Sequence, residues 1–198
     1  MLGGPYLKLD YKLERKPVVA VLFDHSESMM LPAGPFEKEE EMVRIVRAAG
    51  YQAAEKQVDA ETRKAMNRIS RAKLAQTVYQ KGAPALNALL AKKYDLHLYS
   101  FSRDTAPVAI NPANPELPEP PTPGGSSTRI GDAVAKVLDE TGGRQVAGIL
   151  LFSDGQNTGG HSPADVARRA ARVGTPIYAV PAGSAASIHD ISIADIFT

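Results

Sequence analysis

The chain contains no cysteine among its 198 residues. A disulfide framework, a zinc site built on thiolates and a cysteine nucleophile are therefore excluded. The absence of cysteine leaves the redox compartment undetermined, because a chain without thiols is compatible with both oxidising and reducing compartments. Any metal that this protein binds must be held by oxygen or imidazole ligands.

Long apolar runs and an excess of one charge are missing as well. The longest apolar run covers residues 18–23, far below the roughly 20 residues that a membrane-crossing helix needs. Lysine and arginine number 23 against 22 aspartate and glutamate, so the net charge is +1. This balance gives no extended field of one sign for nucleic acid or an anionic surface. We therefore expect no nucleic-acid partner and no direct membrane insertion of this segment.

Strand-like and helix-like periods alternate along the chain. The first apolar run is continuous, which is typical of a strand buried on both faces of a sheet and predicts a central position. Alternation of strands with helical spacing predicts a mainly parallel α/β sheet. Strands are predicted at residues 17–23, 95–101, 146–152 and 175–180.

Three helices are predicted from apolar spacing and from start and stop signals. One begins near Ile130. A second begins at Pro163 behind Ser162, and its predicted inner face consists of Val166, Ala170 and Val173. The third is longer and runs from about residue 62 to 79, with Ala65, Ile69, Ala72, Ala75 and Tyr79 on its inner side.

Two segments interrupt this pattern within what we interpret as a single domain, residues 1–198. The segment at residues 31–68 is too long for a connecting loop. Its middle shows helical spacing, which predicts an inserted helix with an apolar face of Met42, Ile45, Val46, Ala49 and Ala53. Its mixed charges indicate a solvated face or, alternatively, a docking surface. Residues 106–123 are rich in proline, which predicts an extended loop with few hydrogen bonds.

Oxygen-bearing side chains follow the most buried strand. Asp24, Ser26 and Ser28 stand on alternate residues at the strand's carboxyl end, where a crossover sheet places its ligand site. A tight loop can turn all three towards one point, and oxygen ligands suit a hard divalent cation. The simpler alternative is that the serines only form a turn.

Two further loops are predicted to reach the same edge of the sheet. Asp154 follows the strand at residues 146–152, and Gly155 permits the turn. Thr128 precedes a predicted helix and offers a hydroxyl. The alternatives are that Asp154 and Thr128 act as loop or cap residues, or that Ser126 or Ser127 takes the place of Thr128.

Taken together, these motifs resemble the von Willebrand factor A (vWA) domain with its metal-ion-dependent adhesion site (MIDAS). The match consists of Asp-x-Ser-x-Ser at residues 24–28, Thr128 and Asp154, and the resemblance covers residues 16–183. It implies a three-layer, doubly wound, Rossmann-like sheet with helices on both faces. It also implies bound Mg²⁺ or Mn²⁺, with Ca²⁺ less favoured. Ser26, Ser28 and Thr128 would be direct ligands, and Asp24 and Asp154 would bind directly or through water.

The resemblance implies a protein-binding module whose cation coordinates an Asp or Glu of a protein partner. A regulatory subunit of an ATP-driven or metal-insertion complex is the alternative, and a metal-assisted hydrolase is the less favoured one. We expect no enzyme activity, since no Gly-x-Ser-x-Gly elbow is present. No Gly-x-x-x-x-Gly-Lys-Ser/Thr loop is present either, so nucleotide chemistry would belong to another chain or domain.

The end of the sequence departs from the family pattern, which closes with a helix. Ile191 and Ile193 alternate as they would in a strand. Residues 186–198 are therefore expected to lead into a further domain.

Overall fold

The structure is a computed structural model that describes residues 15–51, 57–90, 92–109, 125–141 and 143–184. Within these ranges five strands form one sheet in the spatial order β3-β2-β1-β4-β5. Only β3 runs antiparallel to its neighbour. The strands are β1 (Val18–Asp24), β2 (Asp95–Phe101), β3 (Thr105–Val108), β4 (Val146–Ser153) and β5 (Ile177–Pro181).

Helices cover both faces of this sheet. Side chains alternate along a strand, so Ala20 and Leu22 of β1 pack on one side, and Val21 and Phe23 pack on the other. The first side is covered by α4 and α5, and the second by α3. The helices are α1 (Glu39–Ala48), α2 (Ala60–Arg68), α3 (Arg71–Leu90), α4 (Ile130–Glu140) and α5 (Pro163–Arg172).

This arrangement confirms the predicted α/β class and the doubly wound, mainly parallel sheet of Rossmann type, consistent with a vWA-like fold. The apolar strand β1 is central, as its continuous apolar run predicted. The strand order reverses between β1 and β4, and α/β folds bind ligands at such a switch point.

Two of the predicted helices begin where the sequence places them, at Ile130 and Pro163. In α5, Val166 and Ala170 are buried as expected. The prediction for Val173 is wrong, because this side chain is 57% exposed. The helix ends at Arg172, so Val173 lies past the last helical residue and off the apolar stripe.

The predicted helix at residues 62–79 is divided into α2 and α3. Ile69 adopts an extended conformation, and its carbonyl accepts the N–H of Ala33 at 2.8 Å. The N–H of Arg71 donates to Leu31 O at 3.0 Å. Pairing with a distant segment therefore overrides the helical period. On α2 the buried residue is Met66, in place of the predicted Ala65.

The insertion, residues 31–68, contains α1 and α2 and has an apolar core of its own. Met42 and Val46 are fully buried, and Leu74 of α3 joins the same cluster. The insertion therefore packs against α3. Ala53, which was expected to extend the apolar face, lies outside the described residues.

The expectation of an extended loop from residue 106 is wrong for residues 106–108, which belong to the edge strand β3. Pro107 lies opposite Tyr99 in the antiparallel register, and an edge strand tolerates the missing N–H of proline. Residues 110–124 and 186–198 lie outside the described part, so the predictions for them stand untested. No helix in the described ranges is long and apolar enough to cross a membrane.

A close approach in the first turn of α4 gives a testable prediction. A Cβ added at Gly131 would overlap the backbone oxygen of His161, so the loop after β4 would have to shift. Gly131→Ala should therefore lower the free energy of unfolding by about 1–3 kcal/mol in urea titrations. Gly82→Ala is the matched control, since Gly82 lies in α3 and a Cβ added there would meet no atom within 4 Å beyond its own stretch of helix. It should raise stability by about 0.5–1 kcal/mol. Equal effects of both changes would contradict this packing.

Candidate functional site

Asp24 is a buried carboxylate at the last position of β1, with 1% of its surface exposed. Its Oδ1 accepts the backbone N–H of Ser26 at 2.9 Å, and its Oδ2 accepts the hydroxyl of Ser153 at 2.7 Å. Burial raises the pKa of Asp24, while the hydrogen bonds from Ser153 and Ser26 lower it and the charge of Asp154 raises it. The two hydrogen bonds hold the side chain in one orientation, and burial makes its charged form less favourable by removing it from water.

Ser26 and Ser28 present their hydroxyls to each other. The two Oγ atoms lie 3.0 Å apart, because the short 3₁₀ helix Glu27–Met30 turns the chain directly after Ser26. The Ser26 side chain makes no capping bond to this helix, so a turn-forming role does not explain it. Adjacent ligands of an octahedral Mg²⁺, with bonds of 2.0 to 2.1 Å, are about 2.9 Å apart. The hydroxyl pair therefore fits two neighbouring ligand positions.

Asp154 follows β4 and has a side chain that is 5% exposed. Its Oδ2 accepts a hydrogen bond from Arg71 Nη1 at 2.7 Å, and its Oδ1 accepts the N–H of Gln156 at 3.1 Å. Arg71 was not among the predicted site residues, because it lies in the middle of the long helix predicted at residues 62–79. The signal that could have found it is a cation at a helix N-terminus, where the helix dipole disfavours positive charge.

Ser153 joins the ends of β1 and β4. Its hydroxyl donates to Asp24 and accepts the N–H of Gly155 at 3.0 Å. Gly155 has φ +83°, the left-handed conformation that the predicted turn requires. The two carboxylates, Asp24 and Asp154, are thereby held at the same edge of the sheet and interact electrostatically.

Thr128 is buried, and it belongs to the loop before α4. Its N–H donates to the hydroxyl of Thr158 at 2.7 Å, and its carbonyl accepts the Thr158 N–H at 2.9 Å. Arg129 is the N-cap residue of α4, so Thr128 is not the helix cap that the alternative required. These bonds fix the backbone of Thr128. They do not show its hydroxyl in contact with the other four predicted residues.

The Thr128 loop nevertheless adjoins the serine loop. The N–H of Glu27 donates to Gly125 O at 3.4 Å. Ser126 is exposed and Ser127 is half-buried, so Thr128 is the buried hydroxyl of the three. The structure thus brings Asp24, Ser26, Ser28 and Asp154 to the carboxyl edge and places Thr128 in the neighbouring loop.

A cleft of about 990 Å³ opens beside these side chains. One wall is formed by residues 31–35 at the start of the insertion. The other is formed by residues 181–184, at and after the end of β5. The walls are tied together by Ser184 N–H, which donates to Ala33 O at 2.7 Å. Polar groups lining the cleft are Ser28, Glu41, Arg71, Asp154, Gln156 and Ser184.

No three His, Asp or Glu side chains in the described ranges converge as a metal-binding cluster. A cation at this edge would depend on hydroxyl oxygens together with two carboxylates. His25, between Asp24 and Ser26, has a buried Nδ1 without a hydrogen-bond partner in that part of the chain. This nitrogen therefore makes no hydrogen bond to the hydroxyl of Ser26 or Ser28.

No protein-family model matches this chain, and no curated protein matches it. Three solved structures of proximal thread matrix protein 1 (PTMP1) from the mussel byssus are similar, at 14% identity and TM-scores of 0.44, 0.43 and 0.42. The similarity covers 82 to 83% of this chain but only 35 to 37% of those proteins. In one of them the MIDAS motif of PTMP1 is occupied by zinc.

The buried carboxylate of Asp24 predicts a specific dependence of stability on pH. Its pKa in the folded protein lies above the ordinary value of 3.8, so the stability it contributes is complete below that value. This stability is lost as the pH rises through the raised pKa. Asp24→Asn cannot ionise. In EDTA it should therefore lose less unfolding free energy than the wild type between about pH 4 and pH 7.

Urea unfolding at both pH values measures this difference. Asp165→Asn is the matched control, because Asp165 is an exposed carboxylate in the first turn of α5. Asp165→Asn should show the same change in unfolding free energy between the two pH values as the wild type. Identical pH profiles for the wild type and Asp24→Asn would show that Asp24 is not the source of the effect.

Proposed function

We propose that this protein is a metal-dependent protein-binding module, of the adhesion or assembly kind. The observation that carries the proposal is the separation of 3.0 Å between the hydroxyl oxygens of Ser26 and Ser28. This pair lies beside the buried carboxylates of Asp24 and Asp154 at the strand-order switch point. Oxygen ligands at that spacing suit Mg²⁺ or Mn²⁺.

The residues at this site fit a divalent cation. Ser26, Ser28 and Thr128 would supply neutral hydroxyls, while Asp24 and Asp154 would supply negative charge directly or through water. Two carboxylates balance a divalent cation, and Arg71 adds a positive charge beside Asp154, so a further position favours an anionic oxygen. We propose that a partner protein supplies it from an Asp or Glu side chain that enters through the cleft.

A binding role is proposed in preference to hydrolysis. A serine nucleophile needs a base within hydrogen-bond reach. The buried Nδ1 of His25 has no such contact in the described ranges, and burial lowers the pKa of this imidazole. The regulatory-subunit alternative shares the same metal site. In that case the insertion, which has an apolar core of its own, would provide a further binding surface in a larger assembly.

Calorimetric titration with Mg²⁺ and Mn²⁺ tests the metal site. We expect binding by the wild type and loss of binding by Asp24→Ala and Asp154→Ala, because each change removes a carboxylate needed to balance the cation. Ca²⁺ should bind less tightly if the hydroxyls hold a compact octahedral site, since Ca²⁺ prefers longer bonds and more ligands.

Asp165→Asn on α5 controls for a general change in net charge and should bind as the wild type does. Asp24→Ala should stay folded in EDTA, because the change also relieves repulsion between Asp24 and Asp154. Wild-type affinity in Asp24→Ala would contradict the site, and its gross unfolding would favour a purely structural role for this carboxylate.

Binding of a partner protein should depend on the metal and only moderately on salt. Proteins captured on the immobilised chain in Mg²⁺ should be released by EDTA and should be absent with Asp154→Ala. Raised salt should weaken capture only moderately, because a coordination contact is screened less than a surface ion pair. Capture that survives EDTA unchanged would contradict metal-mediated binding and direct attention to the insertion.

A further inference from the structure

Arg71 forms a buried ion pair with Asp154 at the carboxyl edge, and the metal hypothesis gives this arginine no role. The Nη1 to Oδ2 distance is 2.7 Å, and the side chains are 9% and 5% exposed. Burying both charges costs desolvation energy, so such a pair is weak evidence for a stabilising role. Arg71 is also the first residue of α3, where the helix dipole disfavours a cation.

Three segments hold Arg71 in this position. Its backbone N–H bonds to Leu31 O at the start of the insertion, and its guanidinium bonds to Asp154. Gly183 lies directly against the side chain: a Cβ added there would be 3.1 Å from Nε. The Nε itself is buried and has no hydrogen-bond partner in the described ranges. The guanidinium is therefore kept beside Asp154 at the cost of one unsatisfied donor.

We propose that Arg71 is an internal counter-cation for Asp154 that competes with a divalent cation at this site. The inference rests on the proposed function and deepens it, since it names the residue that sets the affinity for metal. With Arg71 in place, the carboxylate of Asp154 is already neutralised. A cation at the serine pair gains less from Asp154 than it would from an unpaired carboxylate, and it is repelled by the nearby guanidinium.

Competition follows because Arg71 is not needed to orient Asp154. The N–H of Gln156 holds Oδ1 at 3.1 Å through the local turn, and this bond does not involve Arg71. Removing the guanidinium charge should therefore change the electrostatics of the site more than its geometry. A role limited to positioning predicts the opposite sign, because a loosened Asp154 would bind the cation less tightly.

Two substitutions separate charge from shape. Arg71→Gln retains a long side chain with an N–H donor for Asp154 and removes the charge, and Arg71→Lys retains the charge. Calorimetric titration with Mg²⁺ and with Mn²⁺ should give about tenfold tighter binding for Arg71→Gln. Arg71→Lys should stay close to the wild type.

Thermal unfolding gives a second readout on the same proteins. In EDTA, Arg71→Gln should melt below the wild type, because Asp24 and Asp154 then face each other without a counter-charge. Saturating Mg²⁺ should reduce or remove this difference. Arg71→Lys should show a smaller deficit in EDTA, since it still places a cation near Asp154.

The outcomes distinguish this inference from the proposed function. If the wild type binds Mg²⁺ and Arg71→Gln binds equally or more weakly, the competition is wrong while the metal site stands. If neither the wild type nor Arg71→Gln binds Mg²⁺ or Mn²⁺, the proposed function fails and the inference fails with it. Binding by Arg71→Gln alone would support competition, with Arg71 as the group that keeps metal out.

Discussion

The buried carboxylate of Asp24 is the constraint around which the carboxyl edge is arranged. A charge at 1% exposure is unfavourable unless its oxygens are hydrogen-bonded, and both are. One bond comes from the loop that begins at Ser26, and the other comes from Ser153 at the end of the neighbouring strand. The two hydrogen bonds to Asp24 thus link the loop after β1 to the end of β4, at the point where the strand order reverses.

The second carboxylate is stabilised in a different way. Asp154 lies at the same edge but is paired with Arg71, which comes from a helix on one face of the sheet. The insertion contributes to this arrangement, because its first residues bond to the backbone of Arg71 and to Ser184. The same residues form one wall of the cleft. A segment that lengthens the crossover after β1 therefore shapes the approach to the candidate site.

The differences between expectation and structure have a common cause. Helical spacing continued through Ile69 and Ser70, yet those residues pair with the start of the insertion and end α2. Residues 106–108 looked like the start of a proline-rich loop, yet they add an antiparallel edge strand to β2. In both cases hydrogen bonds to residues distant in sequence overrode the local preference.

The sequence by itself predicted the α/β class, the central position of β1 and the placement of Asp24, Ser26, Ser28 and Asp154 directly after strands, because apolar periodicity and the position of a residue after a strand are local properties. Strands that run parallel bring their carboxyl ends to one edge wherever the connecting helices lie. Tertiary structure alone decided the counter-charge of Asp154 and the cleft beside it. The residues that pair there, Arg71 and Asp154, are 83 positions apart, and no local pattern specifies which distant side chain meets a buried charge.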